Sequence, residues 1–155
     1  MALVAELQWG ESNLVLYNTH LEGQASDHDR ALQISEILDD LGSRYPAGTP
    51  IIIAGDFNTK EGPRSEVIRL LQAAAFIDVL ETATGAFYTS PKSEQKLDRM
   101  FVRGLPSHDA RIHPVEISGH FPVTSIISMV RNGKLKTDSS LAEEINREEG
   151  EKHEG

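Results

Sequence analysis

The stretch Ile51-Ile52-Ile53-Ala54-Gly55-Asp56-Phe57-Asn58 decides the fold. Its first four residues form an apolar, largely β-branched run with the length of a fully buried strand. Strands alternate with amphipathic helices along the rest of the chain, which indicates an α/β (α+β) domain. Asp56 and Asn58 follow the buried strand directly. Because ligands usually bind at the carboxyl ends of strands in such sheets, both side chains are candidates for a functional site.

Other polar side chains are also predicted at strand ends. The segment Asn18-Thr19-His20-Leu21-Glu22 ends an earlier strand, and Ser118-Gly119-His120-Phe121-Pro122 opens the last one. Asp98 stands near the beginning of a further apolar run. The chain therefore offers carboxylate, amide and imidazole groups at several strand ends, where a fold can bring them together.

The predicted elements rest on two periodicities. Alternating or β-branched runs predict strands, and apolar residues at helical spacing predict helices. Gly42 favours the end of the first helix, and Pro63 favours the first turn of the second. The sequence predicts strands over residues 2–7, 13–18, 51–54, 97–102, 110–113 and 121–130, with helices over about 27–41 and from Pro63 onward.

Composition limits the classes of function. The chain has 155 residues, enough for one domain with a real core, and it has no cysteine. Disulfides and thiolate zinc sites are therefore excluded. The net charge of -9 argues against a large basic footprint on nucleic acid. It does not exclude a phosphate substrate, because a bound divalent cation can supply positive charge locally.

The two ends of the chain lead to separate expectations. No segment approaches the about 20 apolar residues of a membrane span, and residues 1–6 lack the features of a signal peptide. We therefore expect no transmembrane segment and, by default, a cytoplasmic location. Residues 131–155 are polar and rich in both charges. This composition predicts a disordered tail.

Four motifs, taken together and in order, resemble the endonuclease/exonuclease/phosphatase superfamily. They occupy residues 18–22, 55–59, 97–102 and 118–123, and Arg30-Ala31-Leu32-Gln33 is also similar to the family pattern. The resemblance covers roughly residues 1–130. It implies part of a four-layer α/β/β/α sandwich, in which two sheets face each other with helices outside. It also implies an Mg²⁺- or Mn²⁺-dependent hydrolase acting on a phosphodiester or phosphomonoester, with nucleic acid as one possible substrate.

The chain departs from the family pattern in two respects. A full domain is nearly twice as long, and its first half supplies an Asn and the principal metal-binding Glu. Residues 1–130 are therefore interpreted as a domain that lacks its N-terminal half. The final motif normally reads Ser-Asp-His, whereas position 119 is Gly. This difference removes a carboxylate close to the metal and the phosphate.

The resemblance implies catalytic roles for five residues. Asp56 orients and deprotonates the attacking water, and Asp56 and Asn58 contribute to the metal site. Asn58 also stabilises the negative charge that develops on the phosphate. His20 helps to protonate the leaving oxygen or stabilises the transition state. His120 contacts the scissile phosphate, and Asp98 holds its ring.

Ordinary structural roles remain open for the same residues. The Asp56 carboxylate can cap the turn that follows it, with help from Asn58. His20 can hydrogen-bond to backbone groups at its strand end. Asp98 can form a salt bridge with Arg99 or Arg103 on its own strand.

Two further hypotheses concern the whole chain. The first is a truncated or degenerate relative that does not catalyse and instead binds a phosphate ligand or a protein partner. The second is a symmetric dimer, in which each copy covers the exposed sheet of the other. If the chain is instead a phosphoesterase domain that lacks its first half, the isolated chain is expected to expose a large apolar face.

Overall fold

A computed structural model of the protein describes residues 1–9, 12–115, 118–128, 130–131 and 134–135. The sequence predicts a turn at Trp9-Gly10-Glu11-Ser12 between the first two strands, and the centre of this turn lies outside the described residues. Most of the tail predicted over residues 131–155 also lies outside the described residues.

Strands dominate the described part of the chain, and they carry the numbers used below. The strands are β1 Ala2–Trp9, β2 Ser12–His20, β3 Ile51–Asp56, β4 Ile77–Asp78, β5 Thr84–Gly85, β6 Asp98–Arg103, β7 Ser107–Ile112, β8 Val123–Ile127, β9 Val130–Arg131 and β10 Lys134–Leu135. The helices are α1 Asp27–Arg44 and α2 Glu66–Ala73, with 3-10 turns at Gly62–Arg64 and Val79–Thr82.

Two sheets of unequal size organise the fold. The main sheet has the order β1-β2-β3-β6-β4, and the second has the order β5-β7-β8. In the main sheet β2 and β3 run parallel, whereas the other neighbours are antiparallel. A short β9–β10 pair stands apart from both sheets. The predicted α/β (α+β) class is confirmed.

The main sheet buries apolar side chains on both faces. On one face Val15, Tyr17 and Phe101 pack against α1 and α2. On the other face Leu14 and Val102 belong to a second cluster shared with the elements of the smaller sheet. The order of layers is therefore helices, main sheet and second sheet. No helix in the described ranges is long and apolar enough to cross a membrane.

The predicted end of the first helix is wrong. Helix α1 continues through Gly42 to Arg44 and is capped by Tyr45, whose N–H donates to the Leu41 carbonyl at 3.1 Å. Tyr45 has extended backbone angles, φ -122 and ψ 137. Pro46 explains this end, because a residue that precedes proline is driven out of the helical region.

The predicted start of the second helix is also displaced. Pro63 lies in the 3-10 turn Gly62–Arg64, and α2 begins at Glu66. The carboxylate of Asp27, at the start of α1, accepts hydrogen bonds from Ser65 Oγ at 2.7 Å and Glu66 N at 2.6 Å. A side chain distant in sequence therefore caps α2, which the local pattern did not reveal.

The capping role of Asp27 gives a prediction about stability and pH. Burial alone raises the pKa of this carboxyl, but the hydrogen bonds from Glu66 and Ser65 outweigh it and hold the pKa below its ordinary value of 3.8. Its stabilisation is therefore present above that value and is lost as pH falls through the lower, folded-state pKa. We expect Asp27→Ala to lower the free energy of unfolding at pH 7 by about 1–3 kcal/mol.

Urea unfolding of the wild type and of Asp27→Ala between pH 7 and pH 2 checks this expectation. The difference between the two proteins should begin to shrink below about pH 4 and should be smallest below the lowered folded-state pKa, where the Asp27 carboxyl is protonated in both states. A difference that is constant over the whole range would contradict the capping account.

The last two long strands differ from the predicted ranges. Strand β7 begins at Ser107, earlier than residue 110, and a bulge lies between His108 and Arg111, with Asp109 at φ 52. The bulge breaks the alternation on which the prediction relied. Strand β8 begins at Val123 because Pro122, which precedes it, has no N–H to donate.

The main sheet exposes apolar side chains at one edge. Leu3 and Leu7 on β1 are 70% and 46% exposed. Leu7 pairs with Leu14, so Leu7 and Leu14 lie on the same face of the main sheet. The second sheet covers Leu14 but leaves Leu7 partly exposed. The wider expectation, that the chain lacks the half that would cover this face, stays a prediction.

Candidate functional site

The register of the main sheet aligns three of the predicted site residues. Strands β2 and β3 pair His20 with Asp56, and strands β3 and β6 pair Asp56 with Asp98. Residues directly paired across neighbouring strands project from the same face. One imidazole and two carboxylates therefore lie side by side at one end of the sheet.

Gly55 makes this alignment possible. Its φ is 137, and a Cβ atom at this position would lie 1.9 Å from the carbonyl oxygen of Thr19. Only glycine allows β2 and β3 to approach so closely beside Asp56. Two backbone hydrogen bonds, Leu21 N to Asp56 O and Phe57 N to Leu97 O, both 2.9 Å, continue the pairing on either side of β3.

His120 joins the group from the loop before β8. Its Nδ1 lies 2.7 Å from Asp98 Oδ2. The His120 N–H donates to Ser118 Oγ at 3.1 Å, and the Ser118 hydroxyl donates back to the His120 carbonyl at 2.9 Å. Because a carboxylate can only accept, the Nδ1 atom carries the proton and Nε2 is free to face a substrate.

The salt bridge proposed as an alternative for Asp98 is not present among the described residues. Arg99 instead pairs with buried Asp78 at 2.6 Å. The guanidinium of Arg103 lies over the ring of Phe76, with its central carbon 4.7 Å from the ring centroid. Asp98 therefore stays available to orient His120.

His20 is the most open member of the group. Its Nε2 lies 3.7 Å from Asp56 Oδ2, too far for a hydrogen bond but close enough for a charge interaction. The side chain of His20 is 72% exposed, whereas that of Asp56 is 18% exposed. The backbone N–H of His20 donates to the Met1 carbonyl, so the strand end is fixed while the imidazole remains open to a ligand.

Asn58 lies in the turn that the Asp56 carboxylate caps, which is the ordinary structural role considered above for these two residues. Its backbone N–H donates to Asp56 Oδ1 at 2.9 Å, and its φ is 49. Its side-chain Nδ2 donates to the Leu21 carbonyl at 2.9 Å. An amide nitrogen has two N–H donors, so one remains for another partner. Asn58 thus fixes one oxygen of the Asp56 carboxylate and ties the turn to the end of β2.

Asp56, Asp98 and His120 have the geometry of a candidate metal centre. Each residue offers one ligand atom, and these atoms lie within 4.8 Å of one another. All three residues are partly buried. Carboxylate oxygens suit Mg²⁺ and Mn²⁺, an imidazole nitrogen suits a transition metal, and partial exposure leaves positions for water. The predicted metal pair was Asp56 and Asn58; the structure adds Asp98 and His120 as possible ligands.

Sequence reasoning missed Thr89, which is fully buried beside this group. Its hydroxyl oxygen accepts hydrogen bonds from Leu97 N at 3.0 Å and Asp98 N at 2.9 Å. Its carbonyl accepts from Phe121 N at 2.6 Å. Thr89 therefore positions both Asp98 and the residue after His120. It lies in a polar Gly/Thr/Ser-rich loop, and no local pattern distinguishes it.

Comparison with known proteins finds matches to the fold among solved structures, but none to the sequence among family models or curated proteins. No protein-family model and no curated protein gives a significant match to the sequence. A functionally unknown conserved protein from Enterococcus faecalis V583 matches with a TM-score of 0.68 and 25% identity, over 83% of this chain and 56% of that one. An endonuclease/exonuclease/phosphatase from Bacteroides vulgatus matches with a TM-score of 0.67 and 19% identity, over 78% and 51%.

A third solved structure extends the comparison to an animal protein. D. rerio TDP2, complexed with single strand DNA product, matches with a TM-score of 0.66 and 19% identity, over 83% of this chain and 61% of that one. The chain thus spans between about half and three fifths of the length of these three structures. The resemblance predicted from the motifs is confirmed, and the chain has the fold of the endonuclease/exonuclease/phosphatase superfamily.

Proposed function

We propose that this chain carries the water-activating and phosphate-contacting residues of a divalent-metal-dependent phosphoesterase. The observation that carries the proposal is the alignment of His20, Asp56 and Asp98 across three neighbouring strands. The hydrogen bond between Asp98 and His120 completes the group. Activated water, an oriented imidazole and a candidate cation site are the elements that hydrolysis of a phosphate ester requires.

The solved structures that share this fold support phosphate chemistry and leave the substrate open. They include a mannosyl-6-phosphatase from Bacteroides thetaiotaomicron, with a TM-score of 0.53. They also include the human Nocturnin catalytic domain with bound sulfate, with a TM-score of 0.54. TDP2 was solved with a DNA product. A fold shared by such different proteins does not select a substrate, so we propose the reaction class from the site itself.

Different residues of the chain contribute to different steps of hydrolysis. The Asn58 N–H fixes Asp56 Oδ1, which leaves Oδ2 to orient a water and accept its proton. Asp98 accepts a hydrogen bond from the Nδ1–H of His120 and so orients the ring, and in the imidazolium form of His120 the Nε2–H donates to the phosphate. His20 stands beside Asp56 on the open side, where it can stabilise or protonate the leaving oxygen.

The residues present fit a divalent cation, and the reason is electrostatic. Asp56 and Asp98 would hold it through carboxylate oxygens that already lie within 4.8 Å of each other. A bound cation supplies charge neutralisation at the phosphate and lowers the pKa of coordinated water. The net charge of the chain is -9, so local positive charge at this end of the sheet is needed to attract a phosphate.

Gly119 favours a second candidate function. Where the family motif has Asp, this chain has Gly119, so the residue that precedes His120 carries no carboxylate. The second candidate is a non-catalytic relative that binds a phosphate ligand or a protein partner. The exposed Leu3 and Leu7 give such a chain an apolar surface for a partner, or for a second copy of itself.

A direct assay distinguishes the two candidates. Bis(p-nitrophenyl) phosphate and p-nitrophenyl phosphate would be incubated with protein that melts cooperatively, in Mg²⁺, in Mn²⁺ and in EDTA. The proposal expects release of p-nitrophenol that depends on the metal, and the preferred compound tells whether a diester or a monoester is the substrate. Folded protein that releases nothing above buffer in either metal would favour the non-catalytic candidate.

Restoring a carboxylate at position 119 should raise the activity. A Cβ atom at Gly119 meets nothing within 4 Å, so the backbone at this position leaves space for a side chain to begin. We expect Gly119→Asp to increase kcat/KM about 10-fold or more at limiting Mg²⁺, because the added charge favours the cation. A metal titration of the hydrolysis rate measures this change.

Gly42→Asp is the matched control for this substitution. It adds the same charge on α1, also with nothing within 4 Å of the new Cβ. If Gly42→Asp raised the rate as much as Gly119→Asp, the effect would be one of net charge and the assignment of position 119 to the site would fail.

A further inference from the structure

Phe87 is an aromatic residue whose side chain lies in solvent instead of packing against the protein. It is 91% exposed, more than any large apolar side chain in the described ranges except that of Met1. Its neighbour Tyr88 packs normally, with its ring stacked on Phe121 at 5.7 Å between centroids. The loop therefore uses one of its two aromatic residues for its own packing and leaves the other in water, where the ring gains no burial energy.

The backbone on both sides of Phe87 is anchored. On one side the N–H of Ala86 donates to the Ile112 carbonyl at 3.1 Å, at the end of β7. On the other side the Thr89 carbonyl accepts from Phe121 N at 2.6 Å. The ring is thus presented from a loop with fixed ends, so that little conformational entropy remains to be lost when a ligand binds.

The same anchors place Phe87 near the candidate site. Thr89 contacts the backbone of Asp98 and of Phe121, and Phe121 directly follows His120. Two residues of chain span at most about 7 Å, so the backbone of Phe87 lies within that distance of Thr89. Phe87 therefore lies in the same loop as Thr89, whose contacts position Asp98 and the residue after His120.

We propose that Phe87 is a substrate-contacting residue that stacks against a planar aromatic group of the phosphate ester. It then selects esters that carry such a group over esters of sugars or aliphatic alcohols. Stacking also suits the charge of this chain, because a net charge of -9 provides little general attraction for phosphate backbones. The inference rests on the proposed function, since it takes the phosphate to lie at His120.

Two ligands that differ only in their aromatic groups test the proposal. A thymidine dinucleotide and the same dinucleotide without bases share one phosphodiester and its sugars. Binding of each would be followed by ligand-observed NMR with Mn²⁺ absent and Mg²⁺ present, in an Asp56→Asn background that slows hydrolysis. Phe87→Ala should weaken binding of the base-bearing dinucleotide about 5- to 100-fold, and leave the base-free one unchanged.

Two further variants separate stacking from general damage. Phe87→Trp should restore binding of the base-bearing ligand, because a larger aromatic face stacks at least as well. Ile77→Ala removes another exposed apolar side chain, 65% exposed on β4, and should affect neither ligand. An equal loss for both ligands in Phe87→Ala, or no loss for either, would overturn the inference.

The outcomes also distinguish failure of this inference from failure of the proposed function. Wild type that hydrolyses both dinucleotides, with Phe87→Ala unchanged on each, would overturn the role of Phe87 and leave the phosphoesterase intact. Selective loss of base-bearing ligand in a protein that hydrolyses nothing would uphold the role of Phe87 and reject catalysis. If folded protein bound neither dinucleotide, the role of Phe87 would be rejected, and the p-nitrophenyl phosphate assay would still decide whether the chain is a phosphoesterase.

Discussion

Asp56→Asn is expected to lower kcat roughly 1,000-fold or more while the protein remains folded. Asparagine keeps the size of the side chain and an oxygen that can accept the hydrogen bond from the Asn58 N–H. What it loses is the charge that takes a proton from water and that attracts a divalent cation. Steady-state kinetics on the phosphate ester found active in the metal assay, together with thermal melting of both proteins, measure the effect.

Asp39→Asn is the matched control for this prediction. Asp39 is exposed on α1, and its replacement causes the same change in net charge away from the strand ends. Its kcat should remain within about twofold of wild type, because a distant surface charge is screened by salt. A folded Asp56→Asn protein with wild-type kcat would show that the hydrolytic water is activated elsewhere.

Gly55→Ala is expected to cause the largest loss of stability. An added Cβ would lie 1.9 Å from the Thr19 carbonyl oxygen, and the backbone angle φ 137 is one that side-chain-bearing residues rarely adopt. Either the β2–β3 pairing opens or the local backbone changes, and both disturb buried strands. We expect the free energy of unfolding to fall by about 3 kcal/mol or more, measured by urea denaturation.

Gly42→Ala provides the opposite result as a control. Gly42 lies within α1, and a Cβ there meets nothing within 4 Å. Alanine at an exposed helical position should raise the free energy of unfolding by about 0.5–1 kcal/mol. If both alanine variants changed stability by similar amounts, the close approach of β2 to β3 at Gly55 would not be the constraint described above.

Local patterns were sufficient to predict the centre of the fold. The apolar run at residues 51–54 became β3, which extends to Asp56, and the apolar stripe of the first helix became the buried side of α1. Both features depend on residues close together in the sequence. The prediction that α1 ends at Gly42 was wrong because the helix continues through this glycine and ends where Pro46 drives Tyr45 out of the helical region.

Local sequence patterns could not predict the strand register or the hydrogen bonds that cap backbone groups from residues far away in the sequence. Nothing near His20 in the sequence says that it pairs with Asp56, because strand pairing depends on contacts across the whole sheet. The caps supplied by Asp27 to α2 and by Thr89 to Asp98 are likewise distant in sequence. The motifs therefore predicted the candidate residues, whereas only the structure shows that these residues align at one end of the sheet.

Binding of Mn²⁺ is the measurement that tests the central claim most directly. The claim is that Asp56 and Asp98, beside His120, together form a cation site at the end of the main sheet. Titration of folded protein, followed by the electron paramagnetic resonance signal of free Mn²⁺, should show one site, with affinity about 10-fold or more weaker in Asp56→Asn. Absence of binding by folded wild type, or the same affinity in both proteins, would contradict the account.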